Sequence, residues 1–409
     1  MDTTVIFGAG IIGLSAAYYL SDHQPPSSIH LVEPAPQLFS SASGYAGGFL
    51  AKDWHSPASA PLGVLSFDEH RRLSEKHGGR EKWGYSPTTS IGYAASEQFR
   101  TSKRGDDWLR EGTSRAGTAP VSEVPGGEKV PTWLKRVPGD HVEVISEDGS
   151  TAQVDPLLLC RFLLQECLKR GVKLHHPAEG VSVDVDVRGE LASVSIVNTL
   201  TSTETDLPCT KVIIAAGAWS GRVFRQLFRH SKLELPIGCL AGHSIVVAAR
   251  GWSEAVEAGG CHALYASHAG GGYAPEIFAR VGGRIYVAGL NHPGMVLPEQ
   301  AGGAPVQSEA VEVLRATARE LLEGEDMEIV REGLCFRPVT PWGRPVIARV
   351  QDGDLGVGMA TREGAEGGVY VAAGHGPWGI SLALGTGIVV AEMVQGRPLS
   401  ADVRLLGLR

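Results

Sequence analysis

Apolar residues at the beginning of the chain are spaced first as in a strand and then as in a helix. Residues 3–7 form a short run rich in β-branched side chains, and residues 11–20 follow with helical apolar spacing after a glycine-rich turn. Residues 28–33 form a second strand-like run, which Pro34 closes. A strand, a helix and a second strand in this order predict the start of a parallel, doubly wound sheet.

Both kinds of pattern continue through the middle of the chain. Asp155 and Pro156 precede a helical run that Gly171 ends, since aspartate caps a helix, proline fits its first turn and glycine tolerates the backbone beyond its end. Residues 78–149 are irregular and rich in glycine, proline and charge. The remaining elements in this part are predicted as a helix at 61–77 and strands at 172–175, 181–187, 191–198 and 211–216.

Alternating polar and apolar positions dominate residues 236–335 and predict a largely antiparallel sheet, interrupted by a helix at 308–322. A strand at 368–373 and a helix at 378–394 then return to the first pattern. We therefore predict an α/β fold in which a discontinuous doubly wound domain lies beside a mainly antiparallel α+β domain. The first domain is assigned residues 1–77, 150–235 and 336–409, and the second domain residues 78–149 and 236–335.

The composition is typical of a globular protein. Of 409 residues, 43% are apolar and 20% are charged, which allows a large buried core. The chain has 37 basic and 45 acidic side chains without long runs of one sign, so we expect neither a nucleic-acid surface nor a membrane anchor. The first residues lack the pattern of a signal peptide, and the expected location is cytoplasmic. Six scattered cysteines without a CxxC pair predict no disulfide framework and no metal site.

A GxGxxG pattern occupies the turn between the first strand and the first helix. Such glycines permit a tight turn and let the backbone approach a pyrophosphate at the helix N-terminus. An acidic residue at the end of the second strand accepts hydrogen bonds from a ribose in sites of this kind. The residues concerned are Gly8, Gly10, Ile11, Ile12, Gly13 and Glu33. They predict a dinucleotide site, and a purely structural glycine turn is the alternative.

Three further segments of small residues favour FAD over NAD, which the first motif alone does not distinguish. A loop after the second strand suits close backbone approach to a pyrophosphate and a flat ring, and the strand at 211–216 ends in small residues. A late strand-to-helix junction would bring a positive helix end to the anion that forms when flavin is reduced. Each segment alone is compatible with an ordinary turn. The residues expected at the cofactor are Ser41, Ser43, Gly47 and Gly48 in the loop, Val183, Ala216, Gly217 and Trp219, and Gly374, His375, Gly376, Trp378, Gly379 and Ile380 at the junction.

In their order along the chain, these motifs and the segment 333–348 resemble the D-amino-acid oxidase superfamily, which includes glycine oxidase and sarcosine oxidase. The resemblance covers nearly the whole chain and is strongest to a fungal branch of FAD oxidoreductases. It implies FAD as cofactor, with the doubly wound domain binding FAD and the antiparallel domain binding substrate. The implied partners are a small amine or amino acid and, as electron acceptor, O2 or another molecule.

The resemblance also implies roles for individual residues. Arg337, in an Arg-Pro pair, would bind the substrate carboxylate, with a structural salt bridge as the alternative. Cys335, followed by Thr-Pro, lies where sarcosine oxidase carries the cysteine that links covalently to flavin; an inert buried thiol is the alternative. Lys52 would face the flavin; an ordinary exposed lysine is the alternative. His375 would contact flavin or substrate; a structural histidine at a helix start is the alternative.

One position departs from the family pattern. Val287 takes the place of the lysine that activates oxygen in sarcosine oxidase, so the resemblance does not imply reactivity with oxygen. The predicted reaction is hydride transfer from the carbon bearing nitrogen to flavin, which gives an imine that water hydrolyses. The alternatives are an FAD dehydrogenase that reduces a quinone or a protein, a flavoprotein with a binding or trafficking role, and a nicotinamide dehydrogenase.

Overall fold

The structure is a computed structural model that describes residues 3–95, 115–119, 130–249, 260–267, 273–324 and 327–408. The strands in these ranges are β1 (Thr4–Phe7), β2 (Ile29–Val32), β3 (Phe49–Ala51), β4 (Ser86–Ala94), β5 (His141–Ser146), β6 (Thr151–Gln153), β7 (Lys173–His175), β8 (Ala178–Val185), β9 (Leu191–Asn198), β10 (Glu204–Pro208), β11 (Lys211–Ile214), β12 (Gly238–Ala249), β13 (Cys261–Ser267), β14 (Glu276–Arg280), β15 (Arg284–His292), β16 (Met327–Val339), β17 (Val346–Val350) and β18 (Gly368–Ala373). The α-helices are α1 (Ile11–Leu20), α2 (Ala42–Tyr45), α3 (Ala60–His77), α4 (Gly79–Trp83), α5 (Pro156–Arg170), α6 (Ser220–Leu227), α7 (Ser308–Leu321) and α8 (Ala383–Val394).

Six of the described strands form a sheet in the order β17-β18-β11-β1-β2-β7. All neighbours are parallel except β17 and β18. One face packs against α1 and α8, and the other packs against α6 and a three-stranded sheet of β10, β9 and β8. Burial on both faces explains why β1, β11 and β18 are continuous apolar runs without alternation. The predicted doubly wound sheet is confirmed.

Helices α1 and α8 approach each other closely over this sheet. A Cβ atom at Gly387 of α8 would lie 2.6 Å from the Cβ atom of Ser15 on α1, a distance that real Cβ atoms essentially never show. The approach therefore requires glycine at this position. Because α1 follows the early glycine turn and α8 follows the late junction, the contact holds these two segments side by side.

Nine described strands form the second sheet, in the order β16-β12-β15-β14-β13-β4-β6-β3 with β5 beside β4. Its pairs are antiparallel, as predicted, except for β4 and β13, which are parallel. Helix α7 packs on one face through Val311 and Leu314. The opposite face contributes Phe278 and Tyr286 to the core shared with the first sheet.

The two sheets divide the chain somewhat differently from the predicted segments. β3 pairs with β6, and β6 pairs with β4 in the second sheet, although β3 and β6 lie in segments assigned to the doubly wound domain. β16 continues across the boundary placed after residue 335. Helix α8 begins at Ala383 and not at 378, because a 3₁₀ turn over Gly376–Trp378 precedes it. Much of the predicted substrate segment 78–149 lies outside the described residues, and the domain division remains a prediction.

Two other features bear on the expectations from sequence. None of the described helices is long and apolar enough to cross a membrane. None of the six cysteines forms a disulfide bond, and Cys160 and Cys167 on α5 are fully buried in the core. These cysteines act as small apolar side chains.

Several buried histidines are held in the neutral form. His70 on α3 is 1% exposed, and its Nε2–H donates to the carbonyl oxygen of Ile380 at 2.9 Å. Burial lowers the pKa of His70 to about 4. The histidines whose pKa burial lowers to a similar or greater extent are His30, His55, His243 and His375. The unfolded chain therefore binds more protons than the folded chain between pH 6.5 and about 4.

We expect the free energy of unfolding to be greatest above pH 6.5 and to fall as the pH decreases towards 4. Glutamine at position 70 can still donate to Ile380 but does not titrate, so H70Q should reduce the slope by up to about 1.4 kcal/mol per pH unit. Urea denaturation between pH 7 and pH 4.5 measures this slope. The matched control is H230Q at an exposed histidine, which should keep the wild-type slope. Equal slopes for H70Q and wild type would contradict the assignment.

Candidate cofactor cleft and active site

A cleft lies at the carboxyl ends of the parallel strands, with about 1720 Å³ of empty space when the part open to solvent is included. The residues that follow β1, β2, β11 and β18 line one side of it, and residues of β14, β15 and β16 in the second sheet line the other side. Ligands of doubly wound folds bind at this end of the strands. The cleft is therefore the candidate site for both cofactor and substrate.

The early glycine turn lines the cleft as predicted. Gly8 has a φ of 104°, which favours glycine, and a Cβ atom there would lie 2.5 Å from the carbonyl oxygen of Ala215. Gly10, Ile11 and Ile12 also line the cleft, and the first turn of α1 has no acidic side chain. This helix N-terminus is suited to a phosphate group.

Gly13 has a different role from its neighbours in the motif. It does not line the cleft, and its Cβ atom would lie 1.9 Å from the carbonyl oxygen of Gly8. It therefore permits the helix to pack against the turn. The third glycine of this pattern serves helix-to-strand packing in general.

Glu33 lies at the cleft directly after β2, and both of its carboxylate oxygens accept hydrogen bonds from backbone amides. Its Oε2 accepts from the amide of Ala9 and its Oε1 from the amide of Ala35, each at 3.0 Å. Burial raises the pKa of Glu33, and the two backbone hydrogen bonds oppose this effect. The carboxyl group is thus fixed at the cleft by two backbone amides, and its contact with a ribose remains a prediction.

The loop at 41–48 covers the cleft and is held by residues of the second sheet. Ser41, Ser43, Gly47 and Gly48 line the cleft, and the hydroxyl of Ser43 accepts from the amide of Ile11 at 3.0 Å. The Nη2 atom of Arg280 donates to the carbonyl oxygens of Ala46 and Gly47, both at 2.9 Å. A Cβ atom at Gly47 would lie 2.6 Å from the ring of Phe278, so the loop also needs glycine there.

The remaining predicted cofactor contacts divide into two groups. Those that line the cleft are Ala216, Gly217, Trp219, Cys335, His375, Gly376, Gly379 and Ile380. Gly374, Trp378 and Val183 do not line it. Val183 packs in the core beneath the three-stranded sheet, and Gly180, three residues earlier on β8, lies at the cleft in its place.

His375 is a buried neutral histidine at the cleft. Its Nε2 atom is 3.1 Å from the hydroxyl of Thr386, and burial lowers its pKa to about 3. Its Nδ1 atom is buried and has no hydrogen-bond partner among the described residues. An unpartnered buried polar atom at this position is suited to a hydrogen bond with a bound ligand.

Lys52 does not line the cleft. Its Nζ atom forms an ion pair with Asp68 at 2.9 Å, and both side chains are more than one-third exposed. The expectation that Lys52 faces a flavin is therefore not supported by its position. The side chain takes part in a surface ion pair, which is the more common environment for lysine.

Arg337 lies at the cleft on β16 and reaches across β12. Its Nη1 atom donates to Oδ1 of Asn291 on β15 at 2.7 Å. No carboxylate among the described residues lies within 4.0 Å of its guanidinium, so the predicted alternative of a structural salt bridge is not observed there. Burial tends to lower the pKa of Arg337, but the nearby Cys335, Tyr286 and Glu276 raise it overall.

A second arginine at the cleft, Arg115, is fully paired with a carboxylate. Its Nε and Nη2 atoms donate to the two oxygens of Glu276 at 2.9 and 3.0 Å. Its guanidinium also lies 4.9 Å from the ring centre of Trp378, and both Arg115 and Glu276 are at least nine-tenths buried. Sequence reasoning missed this pair, because Arg115 lies in the irregular segment 78–149, where side-chain directions cannot be predicted.

Tyr286, and not Val287, is the residue that β15 presents to the cleft. Val287 is fully buried against α7 on the opposite face of the sheet. The hydroxyl of Tyr286 donates to the carbonyl oxygen of Tyr45 at 3.2 Å, and burial raises the pKa of this phenol. Strand alternation could have indicated Tyr286, since neighbours on a strand point to opposite faces.

The chain belongs to the DAO family of FAD-dependent oxidoreductases, whose pattern it matches over residues 3–393. The match includes every segment that lines the cleft. It confirms the resemblance to the D-amino-acid oxidase superfamily.

Particular relatives share most of the chain length. A protein of Schizosaccharomyces pombe named as an oxidoreductase is 27% identical over 429 aligned positions, which cover 98% of this chain and 96% of the relative. Glycine oxidase of Bacillus licheniformis is 24% identical over 406 positions, with 98% and 94% covered. The crystal structure of glycine oxidase from Geobacillus kaustophilus superposes with a TM-score of 0.72 at 21% identity, covering 99% of this chain and 98% of that one. The fold is therefore that of glycine oxidase.

The residues of the cleft fit the cofactor of this family. The N-terminus of α1 suits the pyrophosphate, Glu33 suits a ribose, and Gly217, whose Cβ atom would meet nothing within 4 Å, leaves room beside the backbone. His375 also lines the cleft and has a buried Nδ1 atom without a hydrogen-bond partner among the described residues. These residues would hold FAD.

Replacing Gly10 by valine should prevent FAD binding, because even a Cβ atom there would lie 2.9 Å from Oγ of Ser43 and the larger side chain would extend towards the pyrophosphate position. The ratio of flavin to protein absorbance after purification measures the occupancy. The control is G353V, at an exposed glycine whose Cβ atom would meet nothing within 4 Å. Normal FAD content in G10V would show that the pyrophosphate lies elsewhere.

Proposed function

We propose that the protein oxidises the carbon–nitrogen bond of a small amino acid or amine, with FAD as the immediate oxidant and O2 as the final acceptor. The observation that supports this proposal is the cationic Arg337 at the cleft, whose side chain is bound to a neutral amide and to no described carboxylate. A partly buried guanidinium in this state is suited to bind an external carboxylate. The glycine oxidases among the relatives act on the smallest amino acid, as their name states.

In this proposal, residues of the cleft bind and orient the substrate. FAD, when bound, accepts a hydride from the carbon next to nitrogen. Arg337 fixes the carboxylate end, and the stacked rings of Phe278 and Tyr286, 5.9 Å apart, form an apolar wall. Fixing one end of a small substrate restricts the position of its C–H bond, which is the main contribution that a protein makes to such a reaction.

The charges near Arg337 favour the neutral form of the amine, which is the reactive form. Both oxygens of Glu276 accept hydrogen bonds from Arg115, so this carboxylate is already paired. The positive charge of Arg337 disfavours a second cation nearby. A substrate amine should therefore lose its proton more readily in the cleft than in water.

The proposal is tested by anaerobic mixing with a panel of amino acids and amines. The oxidised flavin absorbance should disappear with at least one small amino acid and return when air is admitted. In R337A, the apparent affinity for that amino acid should fall by the equivalent of about 2–5 kcal/mol, because one member of a charge-assisted pair is lost. A plain amine should lose much less.

The control variant for this experiment is R284A, which removes an exposed arginine from β15. It should retain the wild-type affinity. Equal losses in R337A for the amino acid and the amine would assign Arg337 a structural role. A flavin that no member of the panel reduces would instead favour a binding or trafficking role.

An FAD dehydrogenase is the second candidate, and one observation favours it. No lysine lines the cleft in the described part of the chain, and Val287, which takes the place of an oxygen-activating lysine, is buried on the side of the sheet that faces away from the cleft. Stopped-flow reoxidation of the reduced protein distinguishes the two candidates. Rapid reoxidation by O2 supports the oxidase, and slow reoxidation that a quinone accelerates supports the dehydrogenase.

Cys335 is proposed as the site of a covalent thioether bond to a methyl group of the flavin: the thiol and the methyl group would each lose a hydrogen, and the two electrons would pass to the flavin ring and then to O2. Its thiol is 3% exposed, lies at the cleft, and is two residues from Arg337 on β16. Acid precipitation should then leave the yellow colour in the protein pellet, and C335S should release it into the supernatant. The matched control is C239S, at a cysteine on β12 that does not line the cleft. A colourless wild-type pellet would show that Cys335 is an unmodified thiol.

A further inference from the structure

The position of the Arg337 guanidinium depends on two residues that do not belong to its own strand. Arg337 on β16 pairs in register with Leu240 on β12, while Asn291 on β15 pairs with Gly242 on β12. The arginine side chain therefore passes over β12 to reach the amide of Asn291. Asn291 itself does not line the cleft.

Gly242 provides the space for this path. A Cβ atom at position 242 would lie 2.1 Å from Nη1 and 2.9 Å from Cζ of Arg337. Any larger residue would therefore displace the guanidinium from the surface of β12. Gly238 on the same strand is not required for this reason, since a Cβ atom there would meet only Val339, at 3.8 Å.

The residue at position 291 determines whether the positive charge of Arg337 remains available to bind an anionic ligand. The amide oxygen of Asn291 accepts a hydrogen bond from Arg337 and so fixes the orientation of the guanidinium, but it carries no net charge. Another arginine of the cleft, Arg115, has a carboxylate partner, Glu276, which neutralises it. Arg337 and Arg115 thus differ in whether a paired carboxylate of the protein already compensates their charge.

We infer that Asn291 and Gly242 are positioning residues that hold Arg337 in place without neutralising it, and that they thereby determine selectivity for substrates with a carboxylate. The inference rests on the proposed function and adds residues that do not touch the substrate. Replacing Asn291 by aspartate keeps the shape and the hydrogen bond but supplies a negative charge. A bidentate arginine–carboxylate pair would then compete with the ligand.

The experiment uses the FAD-loaded protein and non-reacting ligands. Acetate, glycolate and benzoate are titrated while the flavin spectrum is recorded, and acetamide, glycolamide and benzamide serve as neutral counterparts. In N291D, the affinity for the carboxylates should fall by about tenfold or more, since each factor of ten corresponds to 1.4 kcal/mol. The FAD content and the Tm should equal or exceed those of the wild type, because the added ion pair replaces a neutral hydrogen bond.

A purely structural role for Asn291 predicts a different result. N291D would then leave the affinity for carboxylates and amides unchanged, because it preserves the hydrogen bond, whereas N291L would lower the Tm. Either an unchanged carboxylate affinity in N291D or an equal loss for carboxylates and amides would overturn the inference.

Gly242 is tested by the substitution G242A, with G238A as the matched control on the same strand. G242A should weaken carboxylate binding by about tenfold or more, and the control should bind as the wild type does. If G242A and G238A bind the carboxylates alike, the inference fails for Gly242.

R337L separates failure of this inference from failure of the proposed function. A loss of carboxylate affinity in R337L but not in N291D or G242A would retain the proposed function and reject the inference. No loss in R337L, or no spectral response of the wild type to any carboxylate, would reject both.

Discussion

The buried Arg280 joins the two sheets, and the geometry of the cleft depends on it. Its side chain projects from β14 in the second sheet and donates to the carbonyl oxygens of Ala46 and Gly47, in the loop that follows the first sheet's strand β2 and covers the cleft. Its Nη1 atom also forms an ion pair with Asp155 at 3.0 Å. Asp155 at the same time caps α5 by accepting from the amides of Leu157 and Leu158. One guanidinium thus connects a strand, a loop and a helix end.

The same arrangement explains why the loop contains glycine. Arg280 draws the carbonyl oxygens of Ala46 and Gly47 towards β14, and this brings the backbone at Gly47 against Phe278 and Tyr286. No room for a side chain remains between them. A flat ring bound at this loop would therefore contact backbone on one side, and the aromatic wall would border the substrate.

The sequence predicted the parts of the fold and the site that depend on local pattern. The glycine turn at residue 8, Glu33 at the end of β2 and the alternation of residues 236–335 each have a local physical cause; the structure brings the turn and Glu33 to the cleft and forms the alternating segment into strands of the second sheet. The pair of Arg115 and Glu276 was missed because Arg115 lies in the irregular segment 78–149, whose path to β14 and Glu276 cannot be predicted from local pattern. Val183 was expected at the cleft but packs in the core, and Gly180, three residues earlier on the same strand, lines the cleft. Lys52 was expected to face the flavin, but its side chain forms a surface ion pair with Asp68.

The clearest limit of strand alternation is at the end of β15. Tyr286 and Asn291 are five residues apart, so regular alternation would place them on opposite faces of the sheet. A β-bulge intervenes, because three residues of β12, from Gly242 to Ser244, face four of β15, from Ala288 to Asn291.

This bulge requires Gly289, whose φ is 117° and whose Cβ atom would lie 2.3 Å from the carbonyl oxygen of Ala274. After the bulge, Asn291 points to the same face as Tyr286 and meets Arg337. Without it, the amide would face α7 and the guanidinium would have no neutral partner on this strand. The backbone irregularity, more than any single side chain, is what brings the aromatic wall and the carboxylate-binding arginine to one face of the sheet.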